Sequence, residues 1–409
     1  MSKRLIDQQN SFTIYTTFIN GDQLFITASI TDKNAEIIPL TRQIYSRITE
    51  ILSKTNTEIV HERLFGSNSV QAAVINTRKQ VLKENGVNED LPLTYIQGEP
   101  CWGPGFAGVQ LRAIRLEPAA GDVWTIYDQG LPCGRGWKRN GATFLMLQNM
   151  HGWQTNQTTP NTREAQMNRM FERTNRVLQE QGASYRNVIR TWIYLSDILD
   201  WYTDFNKVRN LKYSQFNLIP NSTNNHVAEK IYLPASTGIR GDNPLGSAGV
   251  MDVFAVVPEN DSPLQIDHTA GVKQRSPFRY KSAFSRAMSI REPDNTHIFV
   301  SGTAAIDEQG KSLYPGDTRA QILKTLEVVE ALISQEGAAL KDIIEATVFL
   351  KRAEDLPIYE QVIKKYNLTD MPAVCVVADV CREELLFELD AAVAIPSPLS
   401  LQTEEIADD

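Results

Sequence analysis

Val188-Ile189-Arg190-Thr191-Trp192-Ile193-Tyr194-Leu195 is the stretch whose reading decides the fold. It is rich in β-branched and aromatic residues and reads as a covered strand. Upstream, a polar start near residue 162 leads into an amphipathic helix through Met167, Met170, Phe171, Val177 and Leu178, and Gly182 stops it. A shift of 155 residues reproduces the whole arrangement. Ala165-Gln166 falls on Ala320-Gln321, Gly182 on Gly337, Val188-Ile189 on Ile343-Ile344, and Ile193-Tyr194-Leu195 on Val348-Phe349-Leu350. Repetition at a fixed period means that each copy is one supersecondary unit.

A weaker copy comes first in the chain. Strands over 12–18 and 23–30 join at Gly21-Asp22, a helix runs from about 40 to 53, a strand covers 59–65, a helix covers 69–84, and a strand over 108–116 closes the unit. The fold class is therefore α+β: three tandem β-β-α-β-α-β units over residues 1–118, 119–262 and 263–398, with an acidic tail at 399–409. The Pro/Asp/Ser-rich stretch 258–277 reads as a linker. In such a unit the helices cover one sheet face, and the other face needs a partner. A pseudo-threefold packing of the three sheets supplies one within a single chain.

The closing strand of the third unit sharpens this picture. Alternation sets Leu385, Phe387 and Leu389 toward the helices and Leu386, Glu388 and Asp390 toward a neighbouring unit. Burial raises a carboxyl's pKa toward the range of a general acid, so Glu388 is the first catalytic candidate and Asp390 the second. A structural pairing of either with an arginine is the competing reading. Cys381, seven residues earlier, reaches the same pocket, as a packing or substrate-shaping residue rather than a nucleophile, since no activating base is visible. Ser301-Gly302-Thr303 at a strand end offers either close ligand approach or a bulge. Arg135, Arg139, Arg240 and Arg286 lie beside glycines or on short loops; guanidinium forks suit carboxylates, although each alone is more often structural. The aromatic cluster over 192–202 reads as packing.

Composition limits the partners. Length alone points to two or three domains. With 41 basic and 49 acidic residues the net charge is −8, and no basic run marks a nucleic-acid binder. No apolar run approaches a membrane span, and no apolar leader opens the chain, so a cytoplasmic location is expected, with no nucleic acid and no membrane as partner. Four cysteines without a CxxC pair and five scattered histidines give no metal site, and no cofactor is expected. Gly103-Pro104-Gly105-Phe106-Ala107-Gly108 satisfies GxGxxG formally, but an alternating, strand-like run follows it where a dinucleotide fold needs a helix. Asn156 and Asn221 stand in N-x-[ST] frames read as chance matches.

The middle-strand segments, Arg186 to Asp197 and Asp342 to Leu350, resemble those of the Rid (YjgF) imine-deaminase family. Leu233-Pro234-Ala235-Ser236-Thr237 and Met371-Pro372-Ala373-Val374 resemble its Pro-Ala-Arg-Ser segment, without the arginine that holds the substrate carboxylate there. The segments Phe284 to Met288, Val300 to Ala304, Pro315 to Asp317 and Ala378 to Glu388, with Phe205-Asn206 and Arg209, resemble the chorismatases, which have Rid-like halves. That resemblance implies an enzyme that cleaves the enolpyruvyl ether of chorismate or a related carboxylated small molecule to pyruvate and a hydroxylated ring acid. In it Glu388 would be the acid, and Cys381 matches the cysteine of the hydroxybenzoate-forming subgroup. Arg209 and Arg286 would hold carboxylates, with Gly302, Thr303 and Arg240 as further substrate contacts and Lys351 where the family has an arginine. The histidine expected after Ser-Gly-Thr is replaced by nearby Asp307, and the first unit is additional. The alternatives are a Rid-type imine or enamine deaminase or related hydrolase, and a ligand-binding or assembly protein on the same scaffold. A monomer or low-order homo-oligomer is expected.

Overall fold

The computed structural model describes residues 2–115, 123–154, 161–219, 233–269 and 283–397. The tail at 399–409 and the Asn156 and Asn221 frames lie outside these described residues. Three six-stranded sheets repeat one topology. The first contains β1 (Ser2–Gln8), β2 (Phe12–Ile19), β3 (Gln23–Ile30), β4 (Thr57–Gly66), β5 (Thr94–Gln97) and β6 (Phe106–Arg115), with α1 (Ile37–Thr55) and α2 (Gln71–Glu84) on one face. The second contains β7 (Trp124–Asp128), β8 (Leu131–Arg139), β9 (Ala142–His151), β10 (Val188–Leu195), β11 (Ala235–Arg240) and β12 (Gly249–Pro258), with α3 (Arg163–Glu180) and α4 (Ile198–Gln215). The third contains β13 (Gln265–Thr269), β14 (Ala287–Arg291), β15 (Asn295–Ala304), β16 (Ile343–Leu350), β17 (Ala373–Val377) and β18 (Phe387–Pro396), with α5 (Thr318–Ile333) and α6 (Leu356–Lys365).

In every sheet the strands run first-second-third-sixth-fourth-fifth or its reverse, with the second unit's list simply read from the other edge. Only the fourth and fifth are parallel, joined through the second helix. Each unit therefore adds to the β-β-α-β-α-β pattern an edge strand at its start and a short strand after its second helix; that of the third unit, β17, falls where the sequence reads as a strand over 373–380. One of these, β13, occupies residues 265–269 of the stretch read as a linker and pairs with β14 through five residues. Its Gln-Ile-Asp-His-Thr sequence shows no long alternation, so only the neighbouring strand makes it visible.

The repeat governs local details as well. Thr162 and Asp317 cap the starts of α3 and α5, each accepting from the backbone amide three residues on. Gly182 and Gly337 lie beyond the helical segments with φ of +73° and +81°, where a side chain would be strained. Gln166 and Gln321, matched by the 155-residue shift, make the same contact in their two units. Each side-chain oxygen accepts at 2.8 Å from an amide just before the closing strand, Ala248 in one unit and Leu386 in the other.

The helix-covered faces form three separate cores. The opposite faces meet in a fourth, drawing Phe25 and Phe65 from the first unit, Trp137, Phe144 and Phe254 from the second, and Phe299 and Phe349 from the third. The three units thus pack as an intramolecular pseudo-trimer with their sheets inward. Gly103 to Gly108 forms a loop running into β6, with no helix behind it.

Candidate active site

On β18, Phe387, Leu389, Ala391 and Val393 enter the helix-side core of the third unit, while Ala392 and Ala394 join the central cluster. Glu388 and Asp390 share the central face, as alternation requires. Leu385 departs from the expectation and joins the central cluster, because it lies in the turn before β18, where the alternation has not begun.

The two acids have different surroundings. Asp390 accepts from the Arg190 guanidinium at 3.0 Å and from Thr237 Oγ1 at 2.7 Å, both supplied by the second unit. Glu388 is 4 % exposed and has no hydrogen bond to any described residue. Burial, reinforced by the negative charge of Asp390, pushes its carboxyl up to about 8, while Arg190 and Arg286 pull in the opposite direction. Glu388 is thus protonated at neutral pH and able to donate.

It faces a cleft between the second and third units, whose empty space including the open mouth is about 500 Å³. Helix α4 contributes Tyr202 and Arg209, seven residues apart on one face. Arg209, 1 % exposed, donates to Asn206 Oδ1 and lies 5.6 Å from the centre of the Phe284 ring. The Arg286 guanidinium lies 5.6 Å from the same ring. One aromatic ring thereby holds two cations near one carboxyl, an arrangement suited to an anionic ligand. Strand β11 adds Ser236 and Gly238. The walls stand close, so a ring-sized ligand must turn lining side chains aside.

Gly302 lies in a bulge of β15, where the pairing with β18 shifts between Val300 and Thr303. Of the two readings of this segment the structure has the bulge, and it places Gly302 on the wall of the cleft. A Cβ on Gly302 would collide with Glu388 Oε1 and lie 3.2 Å from Thr237 Cγ2. Cys381 lines the cleft beside Glu388. Burial, with the nearby Glu388 charge, pushes its thiol up to about 12, so it shapes the wall as a neutral group.

Glu388, Cys381, Arg209, Arg286 and Gly302 therefore meet in one cleft. Thr303, Lys351 and Arg240 do not line it. Thr303 Oγ1 is buried and donates to the Ser301 carbonyl at 2.8 Å. Lys351 bonds Glu383 at 2.6 Å. Arg240 pairs with Asp379 at 3.2 Å and Asp242 at 3.5 Å. The last two brace the chain around residues 379–383 from outside. Arg135 and Arg139 serve unit contacts instead, with Glu58 and with Asp22 and Glu292. Asp307 accepts from the amides of Gln309 and Lys311 in a turn. Sequence reading missed Tyr202, Phe284 and Arg382 as lining residues. The seven-residue spacing of Tyr202 and Arg209 was the available signal; Arg382 had none.

The family model described as Endoribonuclease L-PSP matches residues 148–230 and 278–395. A 3-hydroxybenzoate synthase of Streptomyces hygroscopicus is 27% identical over 264 residues, covering 58% of this chain and 71% of that protein. The 3-aminoacrylate deaminase RutC of Acinetobacter baylyi (strain ATCC 33305 / BD413 / ADP1) is 33% identical over 98 residues, 24% of this chain and 77% of its own length. A solved chorismatase structure superposes with a TM-score of 0.58 at 18% identity, over 82% of this chain and 92% of that one, and shows the shared fold. With three such units packed around one core, the chain belongs to the Rid/YjgF family, of the L-PSP type, and is chorismatase-like in architecture.

Proposed function

We propose that the chain cleaves the enolpyruvyl ether of chorismate, or of a closely related ring carboxylate, with Glu388 as general acid. The observation that carries this reading is a buried carboxyl, its pKa raised by that burial, facing the same cleft as Arg209 and Arg286. Arg209 and Arg286 take the ligand's carboxylates. Glu388 gives its proton to the terminal methylene carbon of the enol ether, leaving an oxocarbenium carbon. An oxygen nucleophile, either water or a ring hydroxyl, adds there. Collapse of the adduct breaks the ether carbon–oxygen bond and releases pyruvate, and the proton lost by the nucleophile restores Glu388. With water the adduct is a hemiketal whose hydroxyl proton passes to the departing ring oxygen, and the ring product is a dihydroxylated diene acid. With the ring hydroxyl it is a cyclic ketal, whose collapse also breaks the ring carbon–oxygen bond of the former hydroxyl, so that pyruvate leaves with that oxygen while a ring C–H proton passes to the oxygen left on the ring, giving a hydroxybenzoate without net water. Similarity to the 3-hydroxybenzoate synthase supports the second outcome, and Cys381 beside Glu388 is the residue that would shape it.

Purified protein is incubated with chorismate, pyruvate is followed by a coupled assay and ring acids by chromatography. Glu388→Gln is expected to abolish turnover, by at least about a hundredfold, the lower end of general acid catalysis, while binding persists. A fully active E388Q protein overturns the assignment. Similarity to the RutC deaminase favours one rival, an imine or enamine deaminase, which ammonia release without pyruvate would identify. In that case the carboxylate clamp must come from Arg209 or Arg286, since Ser236 and Val374 stand where the family's arginine is expected.

A further inference from the structure

Sheet registers make positions comparable between units. Phe65 pairs with Gly108, Tyr194 with Val250 and Phe349 with Glu388, so only one of three corresponding positions carries a carboxyl. Two residues on, Gln110, Asp252 and Asp390 correspond, facing Arg63, Trp192 and Thr347. The same registers match Thr94 on β5 with Thr237 on β11, and the bulge residue Asn149 on β9 with Gly302 on β15.

At the junction of the second and third units, Thr237 Oγ1 donates to Asp390 at 2.7 Å. It accepts from the Gly302 amide at 3.1 Å and from the Arg190 guanidinium. One donor and two acceptor sites use the full capacity of a hydroxyl. At the junction of the first and second units Thr94 Oγ1 donates to Asp252 and accepts from the Asn149 amide at 2.9 Å. There the position of Glu388 is held by Val250. At the third junction Val374 replaces the threonine and would lie 3.0 Å from a Cβ on Gly108. The chain thus contains the same threonine joint twice, once beside a carboxyl and once beside a valine.

The joint beside the carboxyl touches it through two groups. Gly302 packs so close to Glu388 that a Cβ there would collide with Oε1, and Asp390 is the neighbour of Glu388 on the same strand face. We propose that Thr237 is a positioning residue: lent by the second unit, its hydroxyl pins the Gly302 amide and the Asp390 carboxylate of the third, and so fixes where Glu388 points in the cleft. The consequence for catalysis rests on the reading of Glu388 as proton donor. Thr94 is the internal control, because it makes the same joint with no acid beside it.

The test compares Thr237→Val, Thr237→Ser and Thr94→Val in the full chain. One readout is kcat and KM with chorismate. A second needs no substrate: infrared titration of the Glu388 carboxyl, taken as the difference between each protein and its E388Q counterpart. A displacement of about 1 Å costs roughly a hundredfold in rate, so T237V is expected to lose about that factor in kcat with KM little changed. Its carboxyl titration is expected to move down from about 8. Released from that geometry, the Glu388 carboxyl turns toward Arg190, Arg286 and the open cleft, and their positive charge and the added hydration lower its titration. Besides Asp390, the groups facing Glu388, namely Arg190, Arg209, Arg286, Arg382, Cys381 and Tyr202, are unaltered. T237S restores both readouts, and T94V changes neither. Wild-type kcat and titration in T237V, or equal changes in T94V, overturn the proposal. Loss of chorismate turnover as the relevant activity removes the lyase reading alone, since the titration still tells whether Thr237 positions the carboxyl. Should T237V fail to fold, Thr237→Cys, of similar size with a weaker donor, is read in the same way.

Discussion

One proton on Glu388 links the proposed catalysis to stability. Its folded-state pKa of about 8 stands above the 4.5 of an unburied glutamate. Between these values the folded chain holds a proton that the unfolded chain has released, so stability falls as pH rises through that window, and the loss is complete above about 8. The displacement corresponds to no more than about 5 kcal/mol. E388Q is therefore expected to gain stability over the native protein at pH 9 and little at pH 4, as denaturant titrations at the two pH values would show. Turnover by the native protein is expected to fall as pH rises through about 8, because the acid then loses its proton; a kcat profile flat to pH 10 would exclude Glu388 as donor. Gly302→Ala sets a methyl against Glu388 Oε1, and about 1–3 kcal/mol of overpacking, with loss of turnover, is expected. The acid was legible as an outlier in an apolar, alternating strand. Its freedom from the arginine that holds Asp390 was not, since both acids share one face and spacing cannot tell which of them Arg190 meets.

Among the elements, α5 shows how a helix sets a site it does not line. Asp317 caps it, and Gln321 in its first turns is fully buried, with Oε1 accepting from Leu386 N and Nε2 donating to the Glu384 carbonyl, each at 2.8 Å. These bonds hold the turn between Cys381 and Glu388. Gln321→Leu leaves buried backbone groups unpaired and is expected to cost about 2–3 kcal/mol in urea denaturation, with kcat falling more than KM rises. An unchanged midpoint would show that water replaces the side chain. The pairing of Gln166 with Gln321 was legible as a repeat, but its purpose was not: a glutamine in a helix reads as a solvated residue until the returning strand is placed against it. The missed edge strands have the same origin. A short strand such as β5 or β13 has too few alternations to stand out, and its existence depends on a neighbour's open edge.

The whole molecule is held by the faces the helices leave bare. Arg63 of the first unit, 1 % exposed, bonds Glu345 of the third at 2.7 Å and lies 4.8 Å from the ring centre of Trp192 in the second. Breaking such a buried pair from one side costs about 3–5 kcal/mol, so Arg63→Met is expected to destabilise the chain by that amount. Because all three units share one core, the loss should appear as a shift of a single cooperative transition; two separated transitions in native protein would mean that the units unfold independently. The first unit completes this core. Among the described residues no helix is long and apolar enough to cross a membrane.

The amino-acid sequence by itself determined the local elements, their threefold repetition, and the face of β18 that carries two acids, because hydrophobic period and turn chemistry act over a few residues. Tertiary structure alone decided which unit meets which. Arg190 meets Asp390 across 200 positions, and Arg209 reaches Phe284 and the Glu388 cleft from the neighbouring unit. The shared topology of the three sheets sets up three equivalent junctions. The side chain at the Glu388 position, with glycine opposite it, gives one of them the geometry of a site. That difference depends on the rotation of one sheet against the next, which local periodicity does not encode.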